Sequence, residues 1–185
     1  YLALKVSGFR PNKVIGMGIS LDASRFANLI SKELNIPASE IEACVIGSHG
    51  EGMLPLVRLS KVKGVALDEF LDDKKTKGLI AGTINRGAEL VSLLGSGSAY
   101  LAPSAAAADI VKIIARDQKS IQGACAYLSG EYGLRDICIG VPCRLGKIGI
   151  EKIIELDLNK EENDALTKAA DSIRKNIDFL KPYLP

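Results

Sequence analysis

The sequence lacks a dominant charge: 24 lysines and arginines face 22 aspartates and glutamates, for a formal charge of +2. Without a strong field of one sign, nucleic acid is not expected as a partner. A long unbroken apolar run is lacking too. The longest charge-free stretch, Leu90 to Ala108, has nineteen residues but is interrupted by Gly95, Gly97, Pro103 and four serines, which argues against a membrane span. Cysteine is scarce and badly spaced. Cys44, Cys125, Cys138 and Cys143 form no C-x-x-C pair, so zinc or dithiol chemistry has no ligand set and all four are expected as buried thiols in a reducing compartment. Cys138 and Cys143, five apart in a strand-like run, should point to opposite faces of a sheet. No charged segment with an apolar core and small-residue cleavage site marks a signal peptide. Instead Leu2, Val6 and Phe9 already follow helical spacing after Tyr1, and an upstream portion is expected. Internal repeats, low-complexity segments and flexible linkers are absent.

What is present suffices for one folded unit. With 47% apolar and 25% charged residues, 185 residues can bury a real core, and residues 1–185 read as a single domain. After Pro11, residues 13–17 read as a brief extended run, and a helix is predicted over 22–34 with Phe26, Leu29, Ile30 and Leu34 as its core stripe. Past turn signals at Pro37 and Ser39, residues 41–46 read as one strand ending at Gly47. Residues 47–52 read as a glycine-rich loop and 53–59 as a second extended piece. Helical spacing covers 67–94, with Gly78, Gly82 and Gly87 as candidate breaks, and then 99–116. Three strand-like runs, 122–128, 136–144 and 148–155, predict an antiparallel meander. The final helix is announced by Asn159 as N-cap with Glu162 three residues on. It carries apolar residues at 166, 170, 173, 177 and 180, and stops before Pro182. Helices interleaved with mostly antiparallel strands give an α+β fold, a mostly antiparallel sheet packed with long helices, rather than a doubly wound parallel sheet.

One histidine exists, His49, between Ser48 and Gly50 in the loop joining two strands. Imidazole is the side chain most easily protonated and deprotonated near neutral pH, yet a lone loop histidine serves equally well as a backbone cap. Asp22 and Arg25, three apart on the predicted helix, emerge on one face within one turn. An isolated D-x-x-R is equally a surface ion pair. The combination carries chemistry only where that helix face meets the His49 loop. Gly16-Met17-Gly18 and Gly95-Ser96-Gly97 each lack the third glycine and the strand-turn-helix setting of a dinucleotide fingerprint, so no phosphate cradle is expected. Lys74, Lys75 and Lys77 read as a solvated helix face.

The run Val14-Ile-Gly-Met-Gly-Ile-Ser-Leu-Asp-Ala-Ser-Arg-Phe26 resembles the segment of malate and lactate dehydrogenases that carries the L-D-x-x-R-F motif. Val45-Ile-Gly-Ser-His-Gly-Glu-Gly-Met-Leu-Pro55 is similar to their active-site histidine loop, and Gly97-Ser-Ala-Tyr-Leu-Ala-Pro103 to the start of the helix beside the nicotinamide. Similarity continues through Glu131-Tyr-Gly-Leu-Arg-Asp136, Gly140-Val-Pro142 and Gly149-Ile-Glu-Lys-Ile-Ile154, covering nearly the whole chain.

The resemblance implies the C-terminal catalytic and substrate-binding domain of an NAD-dependent enzyme, with the N-terminal Rossmann domain that mainly holds NAD outside this chain. It implies His49 and Asp22 as catalytic residues, the imidazole taking the substrate's proton and the carboxylate fixing its tautomer and stabilising its charged form. Arg25 would grip a substrate carboxylate, with Ser98 nearby, while Met17, His49 and Ala102 would lie at the nicotinamide. Reversible oxidation of (S)-malate to oxaloacetate is the implied reaction, on the strength of Gly-Met-Gly and Gly-Ser-Ala-Tyr. A lactate or other 2-hydroxy acid dehydrogenase and a non-catalytic oligomerisation or binding module stand as alternatives. A homodimer or homotetramer, formed partly through the D-x-x-R helix, is implied, as is a cytoplasmic or mitochondrial-matrix location. The chain alone is expected to be inactive. It departs from the commonest histidine-loop pattern with Ser48 for glycine, Glu51 for aspartate and Gly52 for threonine or serine, which puts the loop conformation in question.

Overall fold

The computed structural model describes residues 1–96 and 98–184; Gly97, the end of the second glycine run, lies outside the described residues. Helix α1 (Leu2–Ser7) closes at Gly8, whose φ of 65° is the left-handed conformation that ends helices. Its buried residue is Leu4, whereas Leu2, Val6 and Phe9 are exposed, so the apolar spacing foretold the helix but not its inward face.

A 3-10 turn at Pro11–Lys13 leads to α2 (Gly18–Leu34). This helix starts four residues earlier than expected, because Met17 occupies the N-cap without a side-chain hydrogen bond and so leaves no cap signal in the sequence. The run read as one strand over 41–46 is two, β1 (Ile41–Glu42) and β2 (Val45–Gly47), lying in different sheets. Between them Cys44 turns its N–H to the Ser60 hydroxyl and its carbonyl to the N–H of Leu56, which takes it out of either ladder. Strand β3 (Met53–Pro55) ends at a proline that cannot donate to a ladder, and residues 57–59 form a 3-10 turn instead of extending it. A small hairpin, β4 (Lys61–Val62) and β5 (Val65–Ala66), turns through Lys63 and Gly64, both at positive φ, and completes a three-stranded sheet in the order β1-β4-β5.

Helix α3 (Asp73–Leu94) runs unbroken for 22 residues through Gly78, Gly82 and Gly87, with Asp72 accepting the Lys75 N–H as its cap. After α4 (Leu101–Ala115) come β6 (Ser120–Ser129), β7 (Arg135–Gly146) and β8 (Gly149–Ile153), the expected antiparallel meander. Strand β7 is the axis of the main sheet: β6 lines one edge throughout, while the other is shared by β2 at Gly140 and by β8 from Cys143 onward. Helix α5 (Lys160–Leu180) carries the full capping box, Asn159 and Glu162 exchanging side-chain and backbone bonds at 2.9 Å.

One core joins this sheet to α4 and α5 through Ile110, Ile113, Leu128, Ile137, Leu166 and Ile177. A second core holds α2 between the sheet and α3, through Ile19, Phe26, Ile30, Val45 and Leu79. Each such side chain, fully buried, contributes about 1.5–3 kcal/mol. Gly123 and Gly140 lie where Ile19 presses into the sheet, so that α2 sits close against it. Among the described residues no helix is long and apolar enough to cross a membrane, and no three histidine, cysteine, aspartate or glutamate side chains converge on a metal site.

Candidate active site

Strands β2 and β3 form a hairpin whose tip, residues 48–52, is closed by two backbone bonds. Ser48 N–H donates to Gly52 O at 3.0 Å, and Met53 N–H to Gly50 O at 3.1 Å. Gly47, at φ 95°, supplies the left-handed residue that this tight return needs, and a side chain there would drive into the Gly52 carbonyl. His49 therefore projects from a loop held by the sheet rather than from a free connection.

The hairpin tip leans over the first two turns of α2. His49 Nδ1 lies 2.8 Å from Oδ2 of Asp22, whose side chain is fully buried, while half of the His49 side chain (51%) stays exposed. The other carboxylate oxygen, Oδ1, accepts from Nη1 of Arg25 at 3.4 Å. One carboxylate thus holds the imidazole with one oxygen and the guanidinium with the other. With Asp22 ionised, Nδ1 is the donor and Nε2 is left as a free acceptor on the exposed side of the ring. Burial pushes the Asp22 carboxyl above its ordinary value, and the neighbouring His49 and Arg25 pull it partly back.

Arg25 is nearly buried, at 11% exposure, and its one side-chain bond is the long contact to Asp22; Nε has no partner among the described residues. Most of its donor fork is uncommitted, the condition for taking a carboxylate through two parallel bonds. The structure thus brings His49, Asp22 and Arg25 together. Met17 is half-buried at the N-cap of α2, one residue before the turn that faces His49. Ser98 and Ala102 are exposed, before α4 and in its first turn, and among the described residues no side-chain hydrogen bond joins Ser98 to the cluster.

Two glycines adjoin the cluster that residue type alone did not single out. Gly18 faces His49, where an ideal Cβ would lie 2.8 Å from His49 Cβ, and Gly87 of α3 passes 3.4 Å from Arg25 Nη1 by the same measure. The signal for Gly18 was its position four residues before Asp22, on the same helix face. Gly16, the other half of the Gly-Met-Gly run, is spent on a close approach to Cys125, with a notional Cβ 2.8 Å from Cys125 Cβ.

The cysteines stand apart from this site. Cys143 is buried as expected, but the other three are only half-buried. Burial pushes the thiols of Cys44 and Cys125 up to about 11 and that of Cys143 to about 12, which keeps them protonated and unreactive. Two open clefts of about 410 and 360 Å³ run along β3 and the first turns of α5, and neither includes His49, Asp22 or Arg25. The bonded cluster of His49, Asp22 and Arg25 lies apart from both clefts, and half-exposed His49 puts it on an open face.

Residues 19–182 match the family model of the lactate/malate dehydrogenase alpha/beta C-terminal domain. The chain belongs to the lactate/malate dehydrogenase family. A malate dehydrogenase of Methanosarcina mazei is 44% identical over 181 residues, 98% of this chain and 59% of that protein. The solved malate dehydrogenase of Salinibacter ruber is 39% identical with a TM-score of 0.94, over 97% of this chain and 59% of its own. A lactate dehydrogenase of Cryptosporidium parvum, solved with lactic acid and nicotinamide adenine dinucleotide, is 35% identical with a TM-score of 0.93, over 96% of this chain and 58% of its own. The chain thus spans somewhat under three fifths of the length of these family members. Against the family's usual histidine loop, Ser48 and Gly52 are complementary departures: a Cβ at Gly52 would meet Ser48 Cβ at 2.9 Å, so the loop accommodates a side chain at one position or the other.

Proposed function

We propose that this chain is the substrate-binding and catalytic half of an NAD-dependent malate dehydrogenase, a single domain over residues 1–185 that works beside a separate nucleotide-binding domain. The observation that carries the reading is the 2.8 Å contact between a half-exposed imidazole and a buried carboxylate that also holds a guanidinium. His49 Nε2 accepts the hydroxyl proton of (S)-malate as the carbinol carbon becomes the carbonyl of oxaloacetate, and in the reverse direction the imidazolium returns it. Asp22 keeps Nδ1 protonated, so that Nε2 is the basic nitrogen, and stabilises the charge that forms on the ring. Arg25 orients the substrate by its carboxylate, which holds the reacting carbon beside His49.

The residues fit the reacting end of NAD and not its phosphates. Gly16 and Gly18 are taken up by close approaches to Cys125 and His49, which leaves no glycine cradle there and supports a pyrophosphate site outside this chain. NAD, when bound, supplies the hydride acceptor, and Met17, His49 and Ala102 would border its nicotinamide, with Ser98 near the substrate. Malate is favoured over lactate because the curated relatives at 41–45% identity are named malate dehydrogenases. We also infer a homodimer or homotetramer and a cytoplasmic or mitochondrial-matrix setting.

The test is turnover by the chain joined to its nucleotide-binding domain. Malate-dependent NAD reduction is expected, with oxaloacetate preferred to pyruvate in reverse, and His49→Asn should lower kcat by about three powers of ten or more. Unchanged turnover in His49→Asn would remove His49 as the base, and no turnover by the unmutated joined protein would leave only a non-catalytic module.

A further inference from the structure

We infer that Gly18 is a positioning residue for the His49 imidazole: the absence of a side chain on the first turn of α2 is what lets the ring close on Asp22. The inference rests on the reading of His49 as the base. A Cβ at Gly18 would lie 2.8 Å from His49 Cβ, 2.9 Å from Cγ and 3.4 Å from Nδ1, so it would press on every atom between the loop backbone and the nitrogen that bonds to Asp22. Gly18 and Asp22 are four apart and stack on one face of the helix, which is why a ring lying over the first can bond to the second.

The backbone does not ask for glycine at this position. Gly18 is not at positive φ and opens a helix in which alanine is the better former. If Gly18 served only the fold, alanine would be harmless or helpful. The cost of a methyl group instead falls on the imidazole. The loop backbone cannot yield, because residues 48–52 are closed by two hydrogen bonds and Gly47. The helix cannot yield either, because Ile19 and Phe26 are buried at 1% and 0% exposure. The open direction is outward, where half of the His49 side chain already meets solvent. Swinging that way stretches the 2.8 Å bond to Asp22 past the roughly 3.2 Å at which such bonds end.

His49 is the chain's only histidine, so selective 15N-histidine labelling of the 185-residue chain reports this ring alone. In the wild type, the Nδ1–H tautomer is expected to dominate the neutral form of the ring, with a nuclear Overhauser contact between Gly18 Hα and the His49 β protons. In Gly18→Ala, the tautomer ratio should move toward that of Asp22→Asn, with the fold retained. Gly16→Ala, which places a methyl equally close to Cys125 rather than His49, should cost thermal stability and leave the tautomer unchanged. In the enzyme with its nucleotide-binding domain, Gly18→Ala should lower kcat about 100-fold and leave KM for malate within about twofold, since Arg25 is untouched. An unmoved tautomer, a missing Gly18–His49 contact, or a Gly18→Ala chain that unfolds while Gly16→Ala folds would each overturn the inference. A tautomer shift in a protein that does not oxidise malate would leave the positioning intact and remove the proposed reaction.

Discussion

Asp22 is where the proposed catalysis and stability pull against each other. Its carboxyl is pushed up by burial, so the folded chain holds that proton to higher pH than the unfolded chain does, and ionising it costs the fold free energy. The stabilising protonated form is fully present below the ordinary carboxylate value and is lost as pH rises through the folded one. Asp22→Asn is therefore expected to melt no lower than the wild type at neutral pH, its advantage shrinking as pH falls through the carboxylate range, which calorimetry across that range would show. The same substitution should lower turnover by several powers of ten, because an amide can no longer balance the charge on the ring. A large loss of melting temperature at neutral pH would mean that Asp22 is a structural anchor first. The pair Asp22 and Arg25 was legible in the sequence, since three residues on a helix define a shared face. The contact from Asp22 to His49, 27 residues on, was not; spacing says nothing about which loop folds over which helix, and only the likeness of the motifs supplied it.

The helices differ in how openly the sequence declares them. Helix α5 was legible to its ends because its cap is made of side chains, and Asn159→Ala should cost about 1 kcal/mol in a denaturant titration. The start of α2 was hidden because Met17 caps with backbone alone, and the strand over 41–46 was overcalled because the break at Cys44 depends on Ser60, sixteen residues away. The β4–β5 hairpin was missed because two-residue strands carry no alternation to read. In α3 the glycines suggested breaks, yet tertiary packing carries the helix through them. Gly78 has nothing within 4 Å of a notional Cβ, so Gly78→Ala is expected to stabilise the fold by up to about 1 kcal/mol. Gly82 already has Leu29 Cδ1 at 3.3 Å, and Gly82→Ala should yield less. A Gly78→Ala midpoint below the wild type would show that α3 needs that glycine.

At the scale of the whole molecule, much apolar surface is left uncovered. Leu93 and Leu101 are 76% and 78% exposed at the two helix ends flanking Gly97, and Phe179 and Tyr183 are 72% and 76% exposed at the far end of α5. The outward side of α2, by contrast, is polar, with Ser24, Asn28 and Lys32 exposed. Apolar surface of this kind marks contacts with other protein. The chain alone is expected to be inactive with malate and NAD and to self-associate as concentration rises in light scattering; full turnover by residues 1–185, or a monomer throughout, would contradict the respective expectation. One short segment works against uncontrolled association. The extended residues before α2 lie along the outer edge of β6, where Gly16 exchanges both backbone bonds with Cys125, at 3.0 and 2.8 Å. A ten-residue strand with its free side open would be a template for any passing chain in extended conformation. By stopping that ladder midway, the residues that deliver Gly18 and Asp22 to the histidine also protect the sheet from fibril-like growth, so damage at Gly16 would surface as precipitation before it surfaced as lost chemistry.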